Sequence, residues 1–268
     1  MIRLVATDLD GTLWDRTCEL RPDVRAALAE LERRGVAVVA ATGRRPRSAR
    51  TALEANDILL PAVLLDGTLG EDFSLGQRFH ELFFEAASAA AVLDAFHAHQ
   101  LEPNVFVDHP DVDVLLAERP STDPGHADYL AQWALIGPLR PAIVGHSITA
   151  FTIIGGDRDQ LAPVAEAVAS AGAGRATLVI DSLYGGTSLS VIPTTAHKWA
   201  GVAAFAARLG ITADEVLAVG DAANDVELLA GAGVAVAVRG AAEEVLAEAD
   251  HLIDPPGKGG WTAVLDLL

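Results

Sequence analysis

The sequence predicts an α/β protein, a doubly wound parallel sheet into which an α+β block is inserted. Three observations carry this expectation: the first 65 residues alternate strand, helix, strand, helix, strand; the last segments resume the alternation; and the rhythm changes between them. At 268 residues, with 51% hydrophobic and 21% charged residues, the chain is long and apolar enough to bury a core. That composition excludes a disordered chain.

Residues 2–7 form a short apolar run rich in β-formers, followed by a turn at Gly11, and read as a buried strand. Residues 23–34 place Val24, Ala27, Leu28 and Leu31 at helical spacing, with Gly35 where a helix stop belongs. Residues 36–41 are a second strand ended by Thr42-Gly43, Pro46 opens a helix running to Asn56, and residues 61–65 are a third strand. This order marks a parallel sheet covered on both faces. In the middle block, residues 85–100, 125–133 and 159–171 read as helices, and residues 105–108, 112–116, 147–154, 176–180 and 188–192 as strands. The alternation returns with strands at 215–219, 234–238 and 251–253 and helices at 224–230 and 241–249. The expected division is a core of residues 1–82 and 190–268 and an inserted domain of residues 83–189.

Thirty-seven acidic and nineteen basic residues give a formal net charge of -18, which argues against nucleic acid or an acidic membrane surface as the main partner. The acidity is general, since residues 83–189 carry -9 and the rest of the chain another -9. Arg44, Arg45, Arg47 and Arg50 form a local basic run that reads as a solvated helix face, with Arg44 turned toward the site described next. One cysteine, Cys18, forms no internal disulfide, and the opening apolar run meets Asp8 too soon to be a signal peptide. The expectation is a cytoplasmic protein, monomeric or homodimeric, with a small-molecule partner. His97, His99, His109, His126 and His146 offer no i, i+4 pair of the kind a zinc site uses, and Gly231-Ala232-Gly233 precedes a strand, unlike a dinucleotide fingerprint.

Four pieces carry chemistry. Asp8-Leu9-Asp10-Gly11-Thr12-Leu13 stands where the first strand ends, the position at which open α/β sheets bind ligands. Two carboxylates two residues apart in extended chain face one side and repel unless a cation or proton compensates. Gly220-Asp221-Ala222-Ala223-Asn224-Asp225 again follows a strand and enters a helix; Asp221 completes a hard oxygen site of the kind Mg²⁺ prefers, while Asn224 and Asp225 also read as helix N-caps. Thr42-Gly43-Arg44 offers a hydroxyl and backbone N–H groups suited to a phosphate oxygen. Lys198 is one of two lysines in a chain whose other seventeen basic residues are arginine, so its position favours a compact ammonium on a flexible stem.

The ordered set DLDGTL, TGR, an isolated Lys and GDAAND resembles the haloacid dehalogenase-like hydrolase superfamily. The insertion between the second and third motifs resembles the Cof-type branch, whose large α+β cap covers a Rossmann-like catalytic core and serves substrate specificity. The resemblance implies an Mg²⁺-dependent phosphatase acting on a small phosphorylated metabolite, a sugar phosphate, through an aspartyl phosphate. It implies Asp8 as nucleophile and Asp10 as general acid and base. It further implies Mg²⁺ held by Asp8, the Asp10 carbonyl and Asp221 with Asp225 close behind, and phosphoryl oxygens held by Thr42, Gly43, Lys198 and Asn224. Arg44 adds a positive charge beside them. The same chemistry serves a phosphomutase, and a third reading is a phosphometabolite-binding regulator without catalysis. Three departures from the branch bear on substrate identity: Asp66-Gly67-Thr68 after the third strand, with Asp66 placed to pair with Arg44; Arg239-Gly240-Ala241 after the fifth; and Lys258-Gly259-Gly260-Trp261 near the end. Trp14 is expected at the site entrance or in the packing behind it.

Overall fold

An eight-stranded sheet runs in the order His251–Ile253, Val234–Val238, Val216–Gly220, Leu4–Thr7, Ala37–Ala41, Ala62–Leu64, Leu69–Asp72, Gln77–Glu81. The first six strands are mutually parallel, and the last two are each added by antiparallel pairing to the strand before. The computed structural model describes residues 1–181 and 184–268. Its chain divides into two units, Met1–Glu81 with His197–Leu268, and Leu82–Ala196. The central strands, LVAT and VLAVG, are buried along their whole length, as strands covered on both faces must be. The parallel sheet expected from the alternation is present.

Helices Pro22–Arg33 and Pro46–Ala55 both begin on proline, whose missing N–H costs nothing at a first helical position. The expected helix at 224–230 begins instead as a tight turn, Ala223–Asp225, and continues as Val226–Gly231. Asp225 causes this, because its carboxylate reaches back to the backbone N–H groups of Asp221 and Ala222. The expected helix at 241–249 narrows to Glu243–Ala247. Two features were not anticipated. Helix Lys198–Arg208 buries Lys198, Gly201, Val202 and Phe205, an i, i+3, i+4, i+7 stripe whose first member is charged. The hairpin Leu69–Asp72 to Gln77–Glu81 ends the sheet, and its outer strand, QRFHE, carries little of the apolar alternation that identifies strands.

The second unit holds a six-stranded sheet in the order Arg175–Ile180, Thr187–Ile192, Ser147–Gly156, Asn104–Asp108, Val114–Leu116, Ala134–Ile136. Only its last pair is parallel. Helices Ala86–Ala98 and Arg158–Ser170 supply Val92, Leu93, Phe96, Leu161 and Val164 to a core completed by Phe84 and Phe151. The short edge strand Ala134–Ile136, which leaves Leu135 and Ile136 exposed, falls in a stretch to which the sequence assigned no element. Among the described residues no helix is long and apolar enough to cross a membrane.

In the first unit the chain leaves Leu4–Thr7 toward Ala37–Ala41 on one side, whereas Val216–Gly220 adds on the other. This reversal opens a crevice beyond the carboxyl ends of the three strands. Asp8, Thr42 and Asp221 are the residues that follow those ends. Gly67 sets the height of a fourth contributor. Its φ is +103°, and a Cβ there would overlap the carbonyl of His197, the residue that caps helix Lys198–Arg208. Gly67→Ala is therefore expected to cost about 1–3 kcal/mol in urea denaturation and to lower activity by displacing Lys198. Gly76→Ala, also at positive φ but with open space around it, should cost about 1 kcal/mol or less and leave activity intact.

Candidate active site

The ammonium of Lys198 is the centre of the site. Its helix starts with the side chain on the buried stripe, 1% exposed, and its Nζ donates to Asp8 Oδ1 at 2.7 Å and Asp225 Oδ1 at 2.6 Å. Burial opposes its charge, but the carboxylates of Asp225, Asp8 and Asp66 hold its pKa above the ordinary lysine value. Asp225 is completely buried, and its second oxygen accepts from the N–H groups of Asp221 and Ala222, both at 3.0 Å. That arrangement needs glycine at 220, where a Cβ would overlap the Asp225 side chain. Asp221 accepts from Thr12 Oγ1 at 2.6 Å and passes so close to Gly11 that a Cβ there would meet its carboxylate. Two glycines of the two aspartate motifs thus make room for two of the carboxylates.

One oxygen from each of Asp8, Asp221 and Asp225 lies within 4.8 Å of the others. Three carboxylates against one ammonium leave a negative excess in a mostly buried space, and the protonation equilibria respond to it. Burial pushes the Asp8 carboxyl well above the usual range; Lys198 opposes the rise, while Asp225, Asp221 and Asp10 add to it. Burial likewise raises Asp221 to about 6, with Asp225 and Asp10 adding and Thr12 and Lys198 opposing. An all-oxygen donor set with uncompensated negative charge fits a hard divalent cation such as Mg²⁺.

Asp10 has a different environment although it is two residues from Asp8. Its side chain is 45% exposed and is gripped by Arg44, whose Nε donates to Oδ2 and Nη2 to Oδ1, both at 2.6 Å. The indole Nε1 of Trp14 donates to Oδ1 at 3.0 Å. Partial burial would raise its pKa, but the Arg44 bonds and charge and the Trp14 N–H hold it below the usual carboxylate value. Arg44 also donates to the Cys18 sulfur at 2.9 Å and lies over the Trp14 ring, 5.8 Å from its centroid. Trp14, 1% exposed, lies in the packing and not at an entrance.

Thr42 is buried, and its Oγ1 accepts from the Arg44 N–H at 3.2 Å. Asp66 sits in left-handed conformation (φ 54°, ψ 30°), with its N–H on the Thr42 carbonyl at 3.2 Å and its carboxylate beside Gly43. The expected pairing of Asp66 with Arg44 does not form, because the Arg44 fork is spent on Asp10. Asp66 accepts instead from Asn224 Nδ2 at 2.7 Å, leaving Asn224 Oδ1 buried without a partner among the described residues. Asn224 therefore holds Asp66 and is not a helix N-cap. Arg239 pairs with Asp254 at 3.5 Å with both side chains more than half exposed, and Lys258 is exposed in the turn Pro256–Lys258. The Trp14 and Asp66 contacts were missed from sequence. Trp14 lies four residues beyond Asp10 in a turn, a spacing that flags a contact only once the turn is known; Asp66 and Asn224 are 158 residues apart and have no local signal.

Comparison with known proteins agrees with this geometry. The profile of the haloacid dehalogenase-like hydrolase family matches residues 5–265. The chain is 31% identical over 263 residues to the HMP-PP phosphatase of Cronobacter sakazakii, covering 94% of this chain and 89% of that protein. It is 28% identical to the HMP-PP phosphatase of Klebsiella pneumoniae, at the same coverage. In fold it resembles a haloacid dehalogenase-like hydrolase from B. subtilis, with a TM-score of 0.82 at 20% identity over 100% of both chains. The chain thus belongs to the haloacid dehalogenase-like hydrolase family and is a phosphatase.

Proposed function

We propose that this phosphatase is Mg²⁺-dependent and hydrolyses a phosphomonoester of a small metabolite, a sugar phosphate, through a phosphorylated Asp8. The observation that carries the reading is the ion cluster in which Lys198 bridges Asp8 and Asp225 beside Asp221. A carboxylate attacking a phosphate must approach an anion, and the buried ammonium of Lys198 lowers that repulsion. Asp8, Asp221 and Asp225, with the Asp10 carbonyl, would hold Mg²⁺. When bound, the metal neutralises phosphate charge and aligns the reacting oxygens.

In the first half-reaction an Asp8 oxygen forms a bond to phosphorus while the bond to the leaving oxygen breaks; that oxygen keeps the electron pair and takes a proton from the Asp10 carboxyl. In the second, water attacks the phosphorus of the acyl phosphate, the Asp10 carboxylate takes its proton, and Asp8 is released with inorganic phosphate. Thr42 Oγ1, the Gly43 N–H and Asn224 line the place for the transferring oxygens, and Lys198 supplies their counter-charge. Arg44, spent on Asp10, adds positive charge nearby. The unit Leu82–Ala196 serves as the cap that sets specificity. The two HMP-PP phosphatases support a second substrate reading, HMP-PP itself, on 31% and 28% identity across nearly the whole chain.

Incubation with Mg²⁺ and an aryl phosphate is expected to release phosphate, and chelation to stop it. Asp8→Asn should lower kcat by about 10⁴-fold or more, and persistent turnover in that variant would sink the covalent mechanism. Among substrates, a sugar phosphate turned over with higher kcat/KM than HMP-PP supports the first reading, and the reverse ranking the second. Conversion of a hexose 1-phosphate to the 6-phosphate faster than to free phosphate would make the protein a mutase.

Lys198→Met should cost about 3–5 kcal/mol in chemical denaturation, since it strands two buried carboxylates. The raised pKa of Asp221 gives a further expectation. A carboxyl moved from 3.8 to about 6 on folding adds stability that is complete below 3.8 and lost as pH rises through 6. The metal-free protein carries this strain at neutral pH, and Mg²⁺ needs the ionised form. The rise in Tm on adding Mg²⁺, measured by differential scanning fluorimetry, should therefore be larger at about pH 7.5 than at about pH 5.5.

A further inference from the structure

We infer that Trp14 is a positioning residue for Asp10: its indole N–H fixes Oδ1 and so leaves Oδ2 as the oxygen that carries the transferred proton. The inference rests on the reading of Asp10 as general acid. The geometry begins in the turn after the first strand. The N–H groups of Leu13 and Trp14 both donate to the Leu9 carbonyl, at 3.0 and 3.1 Å, and the Gly11 N–H donates to the Trp14 carbonyl at 2.9 Å. Asp10 and Trp14 also form an isolated bridge across the turn. Both backbones are pinned by this closure, so the 3.0 Å contact between indole and carboxylate is set before any ligand arrives.

The two donors on Asp10 differ in what they can do. An indole N–H donates one bond and accepts none, and a buried one needs its partner. Trp14 is 1% exposed, and its indole N–H donates to Asp10 Oδ1. An oxygen that accepts from it is not free to present a proton along the same direction. Arg44 is different: its long side chain grips both oxygens through Nε and Nη2, yet it can also reach Cys18 and the Trp14 face. If Arg44 releases Oδ2 as the leaving group enters, that oxygen takes up and passes on the proton, while Trp14 still holds Oδ1. Trp14 thus acts on the orientation of the acid, through Asp10 and not on substrate.

Leaving-group dependence tests this, because a p-nitrophenolate departs without a proton whereas a sugar alkoxide requires one. Asp10→Asn is expected to lower kcat/KM for an alkyl phosphate by about 10²–10⁴-fold and for p-nitrophenyl phosphate far less. Trp14→Phe keeps the ring and removes the N–H, and it should reproduce the same selectivity at smaller size, roughly tenfold on the alkyl ester. Equal losses on both esters, as a merely structural role would give, or no loss on either, would overturn the inference while a selective Asp10→Asn left the acid assignment standing. If Asp10→Asn itself is unselective, the acid assignment fails and the inference with it. Should Trp14→Phe not fold, ¹⁵N NMR of the otherwise unsubstituted chain decides: the Trp14 indole resonance should shift on Asp10→Asn, and an unmoved resonance refutes the contact.

Discussion

Lys198 places a full positive charge where solvent does not reach, and the surrounding structure follows from keeping that charge paired. An unpaired ammonium at 1% exposure is untenable, so its helix must start beside strand ends that supply carboxylates. Asp8 follows one central strand and Asp225 lies in the turn after its neighbour. The helix must also lie close to the sheet. Gly201 allows that, since a Cβ there would overlap Val63, and Gly67 does the same at the helix start. Sheet order, helix height and glycine placement are thus one solution to one electrostatic problem.

Pairing Lys198 does not neutralise the site. Asp221 and the second of the two carboxylates on Lys198 remain as excess negative charge, which adds to burial, the larger cause, in raising the Asp8 and Asp221 carboxyls. A protein selected only for stability would gain by replacing such a cluster with apolar residues. Retaining it makes sense for a site that meets a cation and a phosphate together. The chain-wide charge of -18 is a separate matter: it is spread over both units and disfavours a large anionic surface. One small phosphate, met by local positive charge, is compatible with it.

Much of this was legible in the sequence because it is local. The strand ends, the D-x-D pair and the Gly-Asp…Asn-Asp run lie in contiguous residues, and Lys198 stood out against an arginine background. Its helix was overlooked, because a charged residue opens the stripe and Gly201 interrupts it. The edge hairpin was overlooked because Gln77–Glu81 is polar and half-buried, so period-two alternation is faint. What the sequence could not convey is which long-range polar partners choose each other. Asp66 was free in principle to meet Arg44 or Asn224, and the choice was made by Asp10, which takes the whole Arg44 fork.

The last consequence concerns two aspartates separated by one residue. Extended-chain geometry gives them the same outlook, yet their equilibria move in opposite directions, Asp8 up and Asp10 down. Burial and carboxylate neighbours dominate at Asp8, while a bidentate guanidinium and an indole dominate at Asp10. Pairs whose surroundings drive their proton affinities apart are suited to divided labour. In the proposed mechanism the raised direction at Asp8 is the wrong one for a nucleophile, and the cation proposed to bind there would reverse it. At Asp10 the lowered direction is wrong for the proposed acid and right for the proposed base, so in that mechanism the acid half of the cycle would depend on Arg44 loosening its grip. In the proposed mechanism the first residue would thus be tuned by what binds the site, and the second by a side chain of the protein's own, Arg44.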